Sequence, residues 1–177
     1  MLLPALVVGC AGVAPAPVEA EPASSKAPQS FPPAPEGESA EARQIRAAWE
    51  AFERTVDDYY TDPELVDWAP LGEVSRGLAT AQASAAISGF RSRGVVQAGS
   101  ASFYDVDIAA PSVNHAGVRV SAVTYCLDTS QLRIVDIETR ELEALATSDP
   151  LPYRVMLEIL PDQKWWVTQY ADGSQTC

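Results

Sequence analysis

The chain contains one histidine, His115, in the run Asn114-His115-Ala116-Gly117, which reads as a hairpin turn. A single histidine excludes a multi-histidine metal site within one chain, and any Ser-His-Asp triad would have to be built on it. An exposed turn position is the simpler reading. A second set, Asp57, Asp58, Asp62, Glu64 and Asp67, gathers carboxylates around a helix break. Hard cations such as calcium take carboxylate oxygens, but no loop with alternating ligands and a glycine is present. Asp62 and Glu64 suit a helix start, whereas Asp57 and Asp58 oppose the dipole of a helix ending there. The cluster is expected to be a solvated face. These residues supply no catalytic set, and neither a metal nor a cofactor is expected.

The three cysteines divide into one and two. Cys10 follows Met1-Leu2-Leu3-Pro4-Ala5-Leu6-Val7-Val8-Gly9, an apolar run well short of the ~20 residues needed to span a bilayer. It reads as the tail of a signal peptide. Val7-Val8-Gly9-Cys10 resembles the lipobox of bacterial lipoproteins. The resemblance implies lipid attachment at Cys10 and a position on the outer side of a bacterial cell membrane. The diacylglyceryl group of that family supplies the two chains that stable anchoring requires. No lysine or arginine precedes the run, which departs from the pattern and implies either a true start further upstream or a trimmed chain. In an exported protein the remaining pair, Cys126 and Cys177, is expected to form a disulfide. It would close a loop of about 50 residues, worth roughly 4 kcal/mol. Two free thiols are the alternative.

Seven of the 14 prolines fall between residues 11 and 41, among Ala, Ser and Glu, with Phe31 the sole aromatic. Such a stretch buries too little apolar area to offset ordering entropy, and proline makes it a semi-stiff spacer. The expected organisation is 1–9 signal-peptide remnant, 10–41 lipid-anchored tether, 42–177 folded domain. The net charge is −12, acidic in both tether and domain. That excludes a nucleic-acid partner, which needs clustered Lys and Arg, and disfavours direct docking on anionic lipid.

The elements that must position any site follow from periodicity. Ile45, Trp49, Phe52, Val56 and Tyr60 recur on one helical face, with Glu50, Glu53, Arg54 and Asp57 mostly off it. Asp62-Pro63 predicts a second, short helix, and Ala69-Pro70 a further break. Leu71, Val74, Leu78, Ala81 and Ala85 predict one more long helix, closed near Arg91, Arg93 and Gly94. The period then changes to two. Tyr104, Val106 and Ile108 are expected to face inward, opposite Phe103, Asp105 and Asp107. Strands are predicted over 118–127 and 132–137, and a final hairpin over 153–160 and 165–170.

Helices followed by an antiparallel meander predict an α+β fold, N-terminal helices packed on a curved, mostly antiparallel sheet. Over residues 42–177 the chain resembles the NTF2-like (cystatin-like, cone-shaped) family. The features are the long first helix, the Arg91-Ser92-Arg93-Gly94 exit into the sheet, and Tyr153-Arg154-Val155-Met156-Leu157 leading to Asp162-Gln163-Lys164-Trp165-Trp166-Val167. It is similar to the actinobacterial lipoproteins of that superfamily. The fold hosts enzymes, binders and scaffolds, so it does not fix function. The family's isomerases and dehydratases use a tyrosine or histidine plus an aspartate inside the cone. Tyr59 or Tyr60 matches the helix tyrosine, but Asp105 and Asp107 fall on the solvated strand face.

The expected function is therefore a non-enzymatic envelope lipoprotein that binds a partner protein or a small apolar ligand. An NTF2-like isomerase or dehydratase and an inert spacer are the alternatives. Trp49, Phe52, Tyr60, Tyr125 and Trp165 are core residues or the lining of a pocket. Trp166, opposite Trp165 and Val167 on its strand, is expected to point outward as a recognition residue. Expressed from a complete signal, Cys10→Ala is expected to shift the protein from membrane to soluble fractions. Undiminished membrane association of that variant would remove the anchor.

Overall fold

The computed structural model describes residues 29–145, 149–173 and 176–177. Cys10, the signal-peptide remnant and the upstream part of the tether lie outside the described residues. The fold is α+β, three helices on antiparallel strands: α1 (Ala40–Thr61), α2 (Ala69–Val74), α3 (Gly77–Ser92), β1 (Val95–Ala98), β2 (Ser102–Ile108), β3 (Ser112–Val113), β4 (Arg119–Asp128), β5 (Arg133–Asp136), β6 (Leu142–Leu145), β7 (Leu151–Ile159) and β8 (Trp165–Asp172). There are two sheets where one was expected. The larger runs β2-β4-β7-β8, with β3 also paired to β4, and the smaller runs β1-β5-β6.

Helix α1 begins where Ser39 accepts a hydrogen bond from the Ala42 amide at 3.1 Å, an N-cap. Its residues Ile45, Trp49, Phe52 and Tyr59 are buried in one core cluster with Phe103, Val123, Tyr125, Val155, Leu157 and Val167 of the larger sheet. No basic residue stands in its last turn. The exposed carbonyls there are served from α3 instead. The Arg91 guanidinium donates to the carbonyls of Tyr59, Asp62 and Leu65 at 3.2, 3.1 and 2.7 Å. That arrangement resolves the dipole conflict the sequence posed.

Several expectations need correction. The folded region starts upstream of residue 42. The Ser30 amide donates to the Ala101 carbonyl, and the Phe103 amide donates to the Ser30 carbonyl, making a parallel bridge to Ser102. Phe31 stacks on Phe103 (4.5 Å, 6°) and meets Trp49 edge-on at 5.3 Å. A lone aromatic in a proline-rich stretch was the available signal. No helix follows Asp62-Pro63. Asp62 Oδ1 accepts from the Glu64 amide in a tight turn, and α2 begins at Ala69-Pro70, with proline at the helix start. The long stripe from Leu71 to Ala85 is interrupted at Ser75-Arg76, where the Arg76 amide donates to the Val167 carbonyl at 2.8 Å. The buried face of α3 is accordingly Ala79, Ala83 and Ile87, while Leu78 is 53% exposed.

In β2 a bulge between Tyr104 and Asp107, with Asp105 at φ +50°, resets the alternation. Phe103 is thereby buried in the core together with the half-buried Val106 and Ile108, and Tyr104 turns away from them. A period-two reading has no means of detecting an inserted residue. Strand β1 and the exposed β6 were also missed. Gly99 (φ +93°) is required at the β1–β2 corner, because a Cβ there would stand 2.1 Å from the Gln131 carbonyl oxygen. The expected disulfide is present: Cys126 and Cys177 are bridged, with Cα atoms 5.7 Å apart, tying the C-terminus to β4. Phe31→Ala should lower unfolding free energy by about 2 kcal/mol, part of the full cost of deleting a buried phenyl ring. Urea denaturation measures this, and a loss below about 0.5 kcal/mol would mean that the segment does not contribute to the core.

Candidate functional site

Between α1, α3 and the two sheets lies a cavity of about 430 Å³. Helix α1 contributes Phe52, Glu53, Val56, Asp57 and Tyr60 to its wall. These positions follow from helical spacing: Glu53 and Asp57 continue the i, i+4 line through Ile45 and Trp49. Strands β4, β7 and β8 supply Tyr125, Tyr153 and Tyr170, α3 supplies Ala86 and Phe90, and the smaller sheet with its turns closes one side with Gln97, Leu132 and Ile134. The walls are mostly apolar and aromatic, with a few polar groups among them, the usual composition of a small-molecule site.

The centre of the site is Glu53. The Tyr125 hydroxyl donates to its Oε1 at 2.6 Å. Burial drives the Glu53 carboxyl up from 4.5 to about 7, and the Asp57 charge adds to the rise. The Tyr125 hydroxyl and the Trp49 indole act in the opposite direction. The Tyr125 phenol is held well above its ordinary range, first by burial and then by the Glu53 charge. Tyr60 is likewise raised, by burial before its neighbours Tyr170, Tyr153 and Glu53. Around neutral pH, then, Glu53 changes charge while Tyr60 and Tyr125 are held as neutral donors. Such a carboxyl can accept or deliver a proton, or set its charge against a ligand.

Of the expected pocket residues, Phe52, Tyr60 and Tyr125 line this cavity. Trp49 is fully buried behind it, in contact with Tyr125 (ring centroids 5.1 Å). Trp165 is buried in the core and borders a separate groove with Ala47, Ala48 and Ala51 of α1. Trp166 does leave the core face as β8 alternates, but it is only 5% exposed, contrary to expectation. The Arg76 guanidinium lies 3.4 Å and the Lys164 ammonium 4.1 Å from its ring centroid, and its indole N–H donates to Asp162. Long cationic side chains cover the ring, which a strand-face argument cannot foresee.

His115 is exposed in its turn. Asp58, Asp62, Glu64 and Asp67 are exposed as expected of a solvated face, but Asp57 is buried and lines the cavity. Among the described residues no cluster of His, Cys, Asp or Glu is arranged to hold a metal ion. Glu53 was passed over because acids on a helix default to the solvated side. The signal that could have found it is its spacing of four from Trp49.

No protein-family model matches this chain, and no curated protein matches it. Among solved structures it is similar to the intermembrane-space region of the chloroplast protein ARC6. The identity is 11%, over 78% of this chain and 100% of that one, with a TM-score of 0.54. At such identity the likeness is one of fold alone.

The raised carboxyl has a thermodynamic signature. Between 4.5 and about 7 the folded protein holds a proton at Glu53 that the unfolded chain has released. Stability from this group is therefore full below 4.5 and is lost as pH rises through about 7, by up to about 3 kcal/mol. Glu53→Gln should remove this part of the pH dependence in denaturant titrations. An identical stability–pH profile in the variant would place the carboxyl in water.

Proposed function

We propose that the domain is a binding module for a small, largely apolar molecule, held in the cavity with Glu53 and Tyr125 as its polar contacts. The observation that carries this reading is a cavity of about 430 Å³ with aromatic walls around one titratable carboxyl. Its volume falls within the range of small-molecule sites. The wider reading keeps the sequence-based expectations: an NTF2-like domain on a lipid anchor at Cys10, on the outer side of a bacterial membrane, recognising rather than transforming its ligand. Trp166 does not offer a free anchor for a protein partner, because Arg76 and Lys164 cover its ring.

One observation favours a second reading. A carboxyl near neutrality, hydrogen-bonded to a phenol inside an apolar cavity, has the components for moving a proton on a bound ketone or alcohol, as in NTF2-like isomerases and dehydratases. Turnover of a steroid-like or polyketide-like substrate that is lost in Glu53→Gln would establish it over simple binding.

The binding reading is checked with the neutral fluorescent probe N-phenyl-1-naphthylamine. The probe should brighten and shift to the blue on addition of the protein. Ala86→Trp, which fills the cavity from α3, should weaken its binding at least about tenfold, a loss of about 1.4 kcal/mol, while far-UV circular dichroism stays unchanged. Equal probe binding in a folded Ala86→Trp variant would show that the cavity is not the site.

A further inference from the structure

The cavity wall holds a hydrogen-bond acceptor that no donor serves. Gln29 lines the cavity, and its Nε2 donates to the backbone carbonyl of Glu53 at 3.4 Å. That contact fixes which way the amide lies, because turned over it would set oxygen against oxygen. The Gln29 Oε1 is then buried with no hydrogen-bond partner. Such an atom bears the cost of leaving water with no bond in return, and native structures hold few of them. Beside it stands Glu53. The Tyr125 hydroxyl donates to Glu53 Oε1 at 2.6 Å, so the neutral carboxyl carries its proton on Oε2. Two neighbouring groups of the wall therefore have opposite needs: Gln29 lacks a donor, and the protonated Glu53 offers one.

A ligand that satisfies both must give and take a hydrogen bond at one place. A ketone or an ether takes but does not give. A carboxylate has no proton to give. A secondary amide points its N–H and its carbonyl in opposite directions, away from a pair of adjacent partners. A hydroxyl gives one bond and takes two at a single oxygen.

We infer that the cavity takes a hydroxyl-bearing ligand, an alcohol or phenol on an apolar body, whose O–H donates to Gln29 Oε1, whose oxygen accepts from the Glu53 carboxyl, and whose body lies against Phe52, Val56 and Leu132. This rests on the binding reading above and specifies the polar group of its ligand. Gln29 is then a specificity-determining residue: the aromatic walls admit many apolar molecules of the right size, and the unserved acceptor selects among them.

The experiment compares 4-tert-butylphenol with its methyl ether, 4-tert-butylanisole, as competitors of N-phenyl-1-naphthylamine on the intact protein at pH 6, where the phenol is neutral and Glu53, near 7, is mostly protonated. The ether keeps the oxygen and loses the donor. It is also the more apolar of the two, so burial alone would favour it. The phenol should nevertheless displace the probe about tenfold more tightly, a difference of about 1.4 kcal/mol. In Gln29→Leu, which keeps apolar bulk and removes the acceptor, the order should reverse in favour of the ether. An ether that binds the unaltered protein as tightly as the phenol overturns the hydroxyl inference and leaves the binding reading standing. An undiminished preference for the phenol in a Gln29→Leu variant that still binds the probe overturns the assignment to Gln29. Where that variant fails to fold, intermolecular NOEs from the bound phenol to the Gln29 side-chain amide protons decide the assignment on the unaltered protein, and their absence overturns it. Failure of the probe and both competitors to bind the unaltered protein overturns the binding reading and the inference together.

Discussion

One helix face has to do two incompatible things. The face of α1 that covers the larger sheet carries Ile45, Trp49, Phe52 and Val56, and the same face carries Glu53 and Asp57. Burying the first set is the main apolar contact between helices and sheet; burying the second costs free energy unless the acids are protonated or hydrogen-bonded. Packing the face tightly against the strands along its whole length would strand the carboxyls. The structure separates the two demands along the helix. Ile45 and Trp49 sit against strands without a gap, and from Phe52 onward the helix stands off a cavity into which Glu53 and Asp57 open. Tyr125 crosses from β4 to meet Glu53, so the strand with the most neighbours also holds a hydroxyl that satisfies the acid. Burial does the rest: it disfavours the charged form, and so displaces the carboxyl towards neutrality.

The cavity in turn depends on the smaller sheet. Its three strands of four residues each gain stability by packing on the rest of the domain. Here they need only close the open side of a space already bounded by α1 and the larger sheet. Arg91 has an equivalent role, holding the exit of α1 through the carbonyls of Tyr59, Asp62 and Leu65 and so fixing Tyr59, whose hydroxyl donates to the Asp67 carbonyl and whose ring stacks on Trp68. Helix ends are ordinarily satisfied by local caps. Here the cap comes from a different helix, which ties the length of α1 to the position of α3.

Much of the architecture was legible because it rests on long periodic runs. The α1 stripe, the 114–117 turn, the β7–β8 hairpin and the cysteine pair were all read from spacing or count. Features that arise from a single inserted residue or a distant partner were not. The β2 bulge at Asp105, the break at Ser75 and the Arg91 cap have no periodic signature. Half the candidate site was visible: Phe52, Tyr60 and Tyr125 stood out as aromatics, and Tyr153 and Tyr170 were assigned to strands without a face. Glu53 was misassigned because helical acids are usually solvated, although its register with Trp49 places it under the same roof. Trp166 fails in the opposite sense: its strand face was read correctly, but side chains that fold back over a ring are a tertiary fact.

The upstream segment has a mechanical consequence. Gln29 lines the cavity, and the next residue, Ser30, holds the chain to the first strands through two backbone hydrogen bonds of 3.2 and 3.0 Å. The described chain therefore begins at the cavity wall. Tension applied at Gln29 loads those two bonds and the Phe31–Phe103 stack, and reaches α1 at once through the Gln29 side chain, which donates to the Glu53 carbonyl, and through the Phe31–Trp49 contact. A ligand lodged against Gln29 would brace this junction, and a pull strong enough to peel Ser30 away would take Gln29 out of the cavity lining. Load on the leading chain and occupancy of the cavity are, in this geometry, two ends of one lever.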